Sequence, residues 1–220
     1  MAKASALRVR LPVVVLSLLA VLLPAWPGRA AAAAAPAVQQ LITVTAANYG
    51  TTYATLRVYQ VSGAQQTLVF GPWTGARVGY NGVARPGAKR EGDGKTPSGT
   101  YGLSFFFGVQ PNPGVSFPYL HAFSYDYWDD DPANPLYNEW VSGKANAGRN
   151  PEPMHQVPAY NYAAVIAYNT ARTPGLGSAI FLHVGTGGST AGCVSLPASQ
   201  LLAVLRWLKP SAKPRITITG

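Results

Sequence analysis

Residues 180–197 read IFLHVGTGGSTAGCVSLP, and the chain takes its architecture from this stretch. The run Ala179–Val184 is apolar apart from His183, the pattern of a buried strand that carries one imidazole. A loop of small residues, 185–192, follows, and then Cys193, the single cysteine of the chain. Beyond it, Leu201, Val204, Leu205 and Leu208 recur at helical spacing, which predicts a helix over Ala198–Lys209 packed on a core. Pro197 suits its first turn and Pro210 stops it.

A thiol and an imidazole joined by glycine-rich backbone point to a reaction centre. Cysteine attacks as thiolate, so it needs a base or a positive field beside it. His183 precedes Cys193 by ten positions, and a reversal in 185–192 brings the two within hydrogen-bond reach. The helix start just beyond Cys193 is expected to lower the thiol pKa and to offer amide donors to an oxyanion. Gly192, without a side chain, lets a substrate carbonyl approach the backbone amides. Val184 follows His183, so a backbone carbonyl must orient the ring. One Cys and one His under-supply a zinc site.

Outward from this centre, Leu41–Thr45, Thr55–Val61, Gln66–Phe70, Thr100–Phe107, Ala163–Tyr168 and Arg215–Thr219 are short runs of β-branched, apolar and aromatic residues. Gly and Pro punctuate them, and the first three read as a strand meander. The segment 92–99, GDGKTPSG, has a Gly-Lys-Thr order, but Pro97 and a strand-like run follow it. A phosphate loop must open directly into a helix, so this is a rigid turn. The long segment Val109–Asn150 is rich in Pro, Asn and aromatics, with Trp128, Asp129, Asp130 and Asp131 at its centre. Its length marks it as functional. The three aspartates lack the alternating ligands of a calcium loop, and capping of loop backbone or contact with a cationic substrate group is expected instead.

Composition agrees with a mostly β chain. Charged residues make up only 11%, against 23 Gly and 19 Pro. Arg8 and Arg10 precede the apolar run Leu11–Ala25, and Ala30–Ala35 offers small-residue cleavage sites. Residues 1–35 therefore read as a secretory signal peptide and linker, with an uncleaved membrane anchor as the alternative, and 36–220 as one folded domain. Four positive charges (Lys3, Arg8, Arg10, Arg29) lie in that leader, leaving +5 of the formal +9 for the remainder. That suits an anionic cell wall, and the lack of a basic stripe among aromatics argues against nucleic acid. In an oxidising compartment a lone cysteine has no internal partner, which favours a reactive thiol.

The order His183, Gly-rich loop, then Thr190-Ala191-Gly192-Cys193-Val194 resembles the L,D-transpeptidase catalytic domain of the YkuD type. The 92–99 turn is similar to that family's Thr-Pro-x-Gly turn, and the Trp-Asp-Asp-Asp-Pro region with Tyr137-Asn138 and Tyr168-Asn169 resembles a bacterial branch of it. Three departures stand out: Ala191 where a second His is usual, Ser195 where Arg is frequent, and a short His-to-Cys spacing. The resemblance implies a mostly β, sandwich-like domain with one helix after the nucleophile. It implies Cys193 as nucleophile, His183 as general base and acid, and the backbone at Gly192 for the oxyanion. It further implies peptidoglycan stem peptides as substrate, with no metal or organic cofactor and no stable protein partner implied, and Thr190, Ser195, Trp128, Asp129 and Asp130 are the candidate substrate contacts. The expected activity is formation of 3→3 cross-links through a thioacyl-enzyme at the wall or outside the cell. A carboxypeptidase or endopeptidase on the same fold and a non-catalytic wall-binding module are the alternatives. A sortase expects a longer His–Cys separation and an Arg after the Cys.

Overall fold

A computed structural model describes residues 38–220. The signal segment expected over 1–35 lies outside the described residues. Strands β1 (Gln40–Ala46), β2 (Tyr53–Ser62) and β3 (Gln65–Arg77) form an antiparallel meander. Two short strands, β4 (Val83–Ala84) and β5 (Thr96–Pro97), pair in parallel. Next come β6 (Gly99–Gly108) and β7 (Tyr119–His121). A small separate sheet holds β8 (Asp126–Trp128), β9 (Trp140–Ser142) and β10 (Glu152–Pro153) in the order β10-β8-β9. The chain then runs through β11 (Ala163–Ile166), β12 (Phe181–Val184), β13 (Val194–Leu196), helix α1 (Ala198–Trp207) and β14 (Arg215–Thr219).

The large sheet has the order β11-β12-β13-β3-β2-β1-β14-β6-β7. Its two ends meet on β6. The first half of β6 pairs with β14 (Gly102 opposite Arg215), and the second half pairs with β11 (Phe107 opposite Ala163). The sheet therefore curls around an enclosed core. Alternate residues of each strand enter it: Ile42 and Val44, Leu56 and Val58, Phe106, Ala164 and Ile166, Leu182 and Val184, Val194 and Leu196, Ile216 and Ile218. The period of two is the ordinary consequence of the pleat. Leu201, Val204, Leu205 and Leu208 dock α1 onto the same core, each fully buried side chain contributing about 1.5–3 kcal/mol.

The odd-numbered residues of β11–β13 face the other way. Phe107, Ala163, Val165, Phe181 and Cys193 form a second cluster, covered by Trp128, Met154 and Tyr160 from the long 109–160 segment. Phe181 meets the rings of Phe107, Trp128 and Tyr160 edge-on at 5.0–5.6 Å, the favoured aromatic geometry.

The mostly β expectation holds, and three details differ from the sequence reading. β3 runs on to Arg77, well past Phe70, because the register shifts where Gly71-Pro72 bulges out between the Phe70 and Trp73 pairings. Gly71 has φ of 88°, and a Cβ there would sit 2.6 Å from the Leu56 carbonyl oxygen, so only glycine fits. β13 was not anticipated, being only three residues long. The 109–150 segment contains three short strands, β7–β9, in place of a structureless loop.

Candidate active site

Cys193 sits at the entry to β13, on the face opposite the helix. Its sulfur accepts the Phe181 amide at 3.3 Å and donates to the Ala179 carbonyl at 3.2 Å. His183 lies on the neighbouring strand with Ser195 as its register partner, so Cys193 is one pleat away diagonally on the same face. His183 Nδ1 meets the Val184 carbonyl at 2.8 Å. A carbonyl only accepts, so Nδ1 carries the proton and Nε2 is left as the basic nitrogen. No hydrogen bond among the described residues joins His183 to Cys193. Both line one cleft of about 320 Å³.

Burial dominates the electrostatics here. It pushes the Cys193 thiol up, reinforced by the Glu152 charge, against the opposing pull of the Phe181 amide, Lys89 and the Tyr160 hydroxyl. Burial also lowers His183 against the pull of the Val184 carbonyl. Both shifts favour the uncharged forms. The resting pair is therefore a thiol and a neutral imidazole, not a thiolate–imidazolium pair.

The Cys193 backbone is held by two hydroxyls. Thr190 Oγ1 donates to the Cys193 carbonyl at 2.6 Å, and Thr96 Oγ1 donates to the same oxygen at 3.2 Å. Thr96 in turn accepts the Gly79 amide at 2.9 Å, and Thr190 accepts the Gly192 amide at 3.2 Å. The loop is further tied by the Thr190 amide on the Val78 carbonyl and the Tyr80 amide on the Thr190 carbonyl. A Cβ on Gly192 would lie 3.2 Å from the Lys95 carbonyl oxygen and 3.3 Å from Ile180 Cδ1. The Gly-Asp-Gly-Lys-Thr-Pro turn is thus a buttress for the cysteine, which is why its Gly-Lys-Thr order has nothing to do with phosphate.

One end of the cleft is acidic. Glu91, Asp130 and Glu152 line it, three of the eight acids in the whole chain. Glu91 accepts from Ser178 Oγ at 2.7 Å and from the Tyr137 hydroxyl. Glu152 accepts from the Tyr160 hydroxyl and from Gln156 Nε2. Burial, with the charges of Glu91 and Glu152, raises Asp130 to about 7. Burial likewise raises Glu152, against its hydrogen bonds from Tyr160 and Gln156. Lys89, also in the lining, is buried and paired with Asp93 at 2.6 Å.

Of the residues singled out in the sequence, Cys193, His183, Gly192, Thr190, Ser195 and Asp130 line this cleft together. Two do not. Trp128 is buried in the outer-face cluster, with its indole N–H given to Asn138, because its bulk is what covers Phe181. Asp129 is fully buried and accepts the Asp131 amide, so it shapes its own turn. The expected help from the helix is also absent. Strand β13 separates Cys193 from α1, and α1 packs on the enclosed core behind the sheet. The residues that sequence reasoning missed are Thr96, Lys89, Glu91, Glu152 and Tyr160. The one signal pointing to the acids was their scarcity: Glu91 directly precedes the 92–99 turn, and Glu152 stands alone before β11.

The family model of YkuD, the L,D-transpeptidase catalytic domain, matches residues 54–218. Neither a curated protein nor a solved structure matches the chain.

Proposed function

The chain belongs to the YkuD family of L,D-transpeptidase catalytic domains, whose activity is on peptidoglycan, and from that premise we propose that it is an exported cysteine acyltransferase that forms 3→3 cross-links between stem peptides. The observation that carries the reading is the cleft itself. It holds the chain's single thiol beside an imidazole whose Nδ1 is committed to a backbone carbonyl, leaving Nε2 to take a proton.

Cys193 Sγ attacks the carbonyl of the L-centre of the diamino acid in a donor tetrapeptide, and His183 Nε2 accepts the thiol proton as the C–S bond forms. A neutral resting pair suits this order, because no preformed thiolate has to be stabilised in a buried site. The Cys193 amide holds the oxyanion, since the Gly192 amide that was expected to share this role is given to Thr190 Oγ1. The tetrahedral intermediate collapses, the bond to the leaving D-alanine breaks, and His183 returns the proton to its amine. An amine of a neighbouring stem then attacks the thioester, gives its proton to His183, and releases the cross-linked product with the thiol restored. The acidic end of the cleft, with Asp130 between Glu91 and Glu152, receives the ammonium of a stem. The basic leader and the apolar run behind it direct the chain out of the cell, and the +5 charge of the remainder holds it near the anionic wall.

The test is intact-mass analysis of the protein incubated with a tetrapeptide stem, with product analysis alongside. The expected result is a thioacyl adduct on the wild type and a cross-linked dimer, both lost in Cys193→Ala. Full turnover by Cys193→Ala or His183→Ala would refute the mechanism. Tripeptide without dimer would make the enzyme a carboxypeptidase.

A further inference from the structure

The row of residues that carries His183 continues across the sheet. His183 is opposite Ser195, Ser195 is opposite Arg77, and Arg77 is opposite Tyr53. Ala76 and Val78 point into the enclosed core, so Arg77 faces outward with Ser195 and His183. The row borders a second cavity of about 210 Å³, and Ser195 lines both this cavity and the catalytic cleft.

Two polar atoms here are buried and spent on nothing. Ser195 is 1% exposed, yet its Oγ has no hydrogen-bond partner. Arg77 Nε is likewise buried and unpartnered. The guanidinium is fixed by stacking over the Tyr53 ring at 3.7 Å and by one bond to Thr52 Oγ1 at 3.2 Å, and it has no carboxylate partner among the described residues. Leaving buried donors unused costs roughly 1–3 kcal/mol each. Gly185 borders the hydroxyl, and a Cβ there would lie 3.5 Å from Ser195 Oγ and 3.3 Å from the Leu196 carbonyl oxygen.

We propose that Arg77 and Ser195 form a carboxylate subsite that binds the free C-terminus of the residue leaving from the Cys193 centre. A fixed guanidinium and a hydroxyl are the donors that a carboxylate takes. The spacing agrees with this. Ser195 is two residues along the strand from Cys193, about 6.6 Å. Consecutive residues are spaced by about 3.8 Å between Cα atoms, so a terminal carboxyl lies one such step past a scissile carbonyl that stands about 3–3.5 Å from the attacking sulfur. A donor that ends one residue past the scissile bond therefore reaches the subsite, and one that continues does not. The cleft with its acidic residues for ammonium and the second cavity with its guanidinium for carboxylate then meet at Ser195, two residues from the thiol. This makes the enzyme specific for chain ends, in contrast to an endopeptidase.

The inference rests on Cys193 being the nucleophile, but its test does not need turnover. Cys193→Ala protein is titrated with N-acetyl-D-alanine and with N-acetyl-D-alaninamide, followed by amide chemical shifts. The free acid is expected to bind at least tenfold tighter than the amide. Arg77→Gln in the same background should erase that preference by weakening the acid alone, and Arg77→Lys should restore part of it. The spectra report whether each variant is folded. Equal affinity for acid and amide, an unchanged preference in Arg77→Gln, or no saturable shift with either compound overturns the subsite. If the acid preference holds while wild type fails to turn over any tetrapeptide, the acyl-transfer reading is at fault and the subsite stands.

Discussion

The two faces of the β12–β13 pair use alternate residues of the same short strands and do opposite things. Leu182, Val184, Val194 and Leu196 face inward to a core that α1 and the closed sheet fill completely. Phe181, His183, Cys193 and Ser195 face outward to a surface that is covered only in part, where hydroxyl, sulfur and imidazole border a cavity. The inner face is satisfied by packing alone. The outer face keeps polar atoms buried and only partly paired, a cost that a folded chain tolerates where the atoms have a later use. On the proposed function, one side of a strand pair thus serves stability and the other reactivity, one pleat apart.

Substitutions that separate stability from rate test that division. The largest effect is expected on the outer face. His183→Gln should lower kcat on a tetrapeptide stem by about 10²–10⁴-fold, the usual contribution of a general base, with Tm little changed. A large loss of Tm would place His183 in the stabilising machinery and collapse the contrast. On the inner face, Leu196→Ala removes a fully buried side chain and should cost about 2–5 kcal/mol. At about 2–4 °C per kcal/mol that is a fall in Tm of roughly 4–20 °C, with kcat per folded molecule retained. Thr190→Val deletes the 2.6 Å bond to the Cys193 carbonyl and should cost about 1 kcal/mol in stability, together with a fall in kcat that the equivalent change at exposed Thr219 does not produce.

The smaller effects concern protons. His183 is held below the ordinary histidine value by burial, so it stays neutral, and usable as a base, to lower pH than a free imidazole. The acid limb of the kcat/KM profile should therefore lie below pH 6.5, and a limb above that value would contradict the burial argument. Asp130 is raised from 3.8 in the unfolded chain to about 7 in the fold. The folded state holds that proton more tightly. The associated stability is complete below the unfolded value and is lost as pH rises towards about 7. Asp130→Asn should then raise Tm at pH 8 by about 2–4 °C, for roughly 1 kcal/mol after solvent screening of this half-buried group.

Much of the inner face was legible in the sequence because packing leaves periodic traces. The Leu201, Val204, Leu205, Leu208 stripe gave the helix, and alternation in β1 and β2 gave the meander. The outer face left fewer traces. Cys193 and His183 announced themselves by rarity, but the acidic end of the cleft comes from Glu91, Asp130 and Glu152, which are separated by dozens of residues and converge only when the 109–160 segment folds over the sheet. Trp128 and Asp129 misled because a Trp beside three aspartates looks like a binding patch, while the indole was needed to cover Phe181. The clamp on the Cys193 carbonyl depends on Thr96, 97 positions upstream, and no local pattern announces a pairing across that distance.

β1 lies between β2 and β14 in the middle of the large sheet, not at its rim. Leu41 is paired with Arg215 and Thr45 with Thr219, so one of the first strands of the domain to be made is completed by one of the last. Closing so long a loop is slow compared with forming a hairpin. The sheet cannot close until residues 215–219 pair with β1, and until then its core strands stay unpaired on one side. Removing residues 215–220 would take out a central strand and leave the enclosed core open to water.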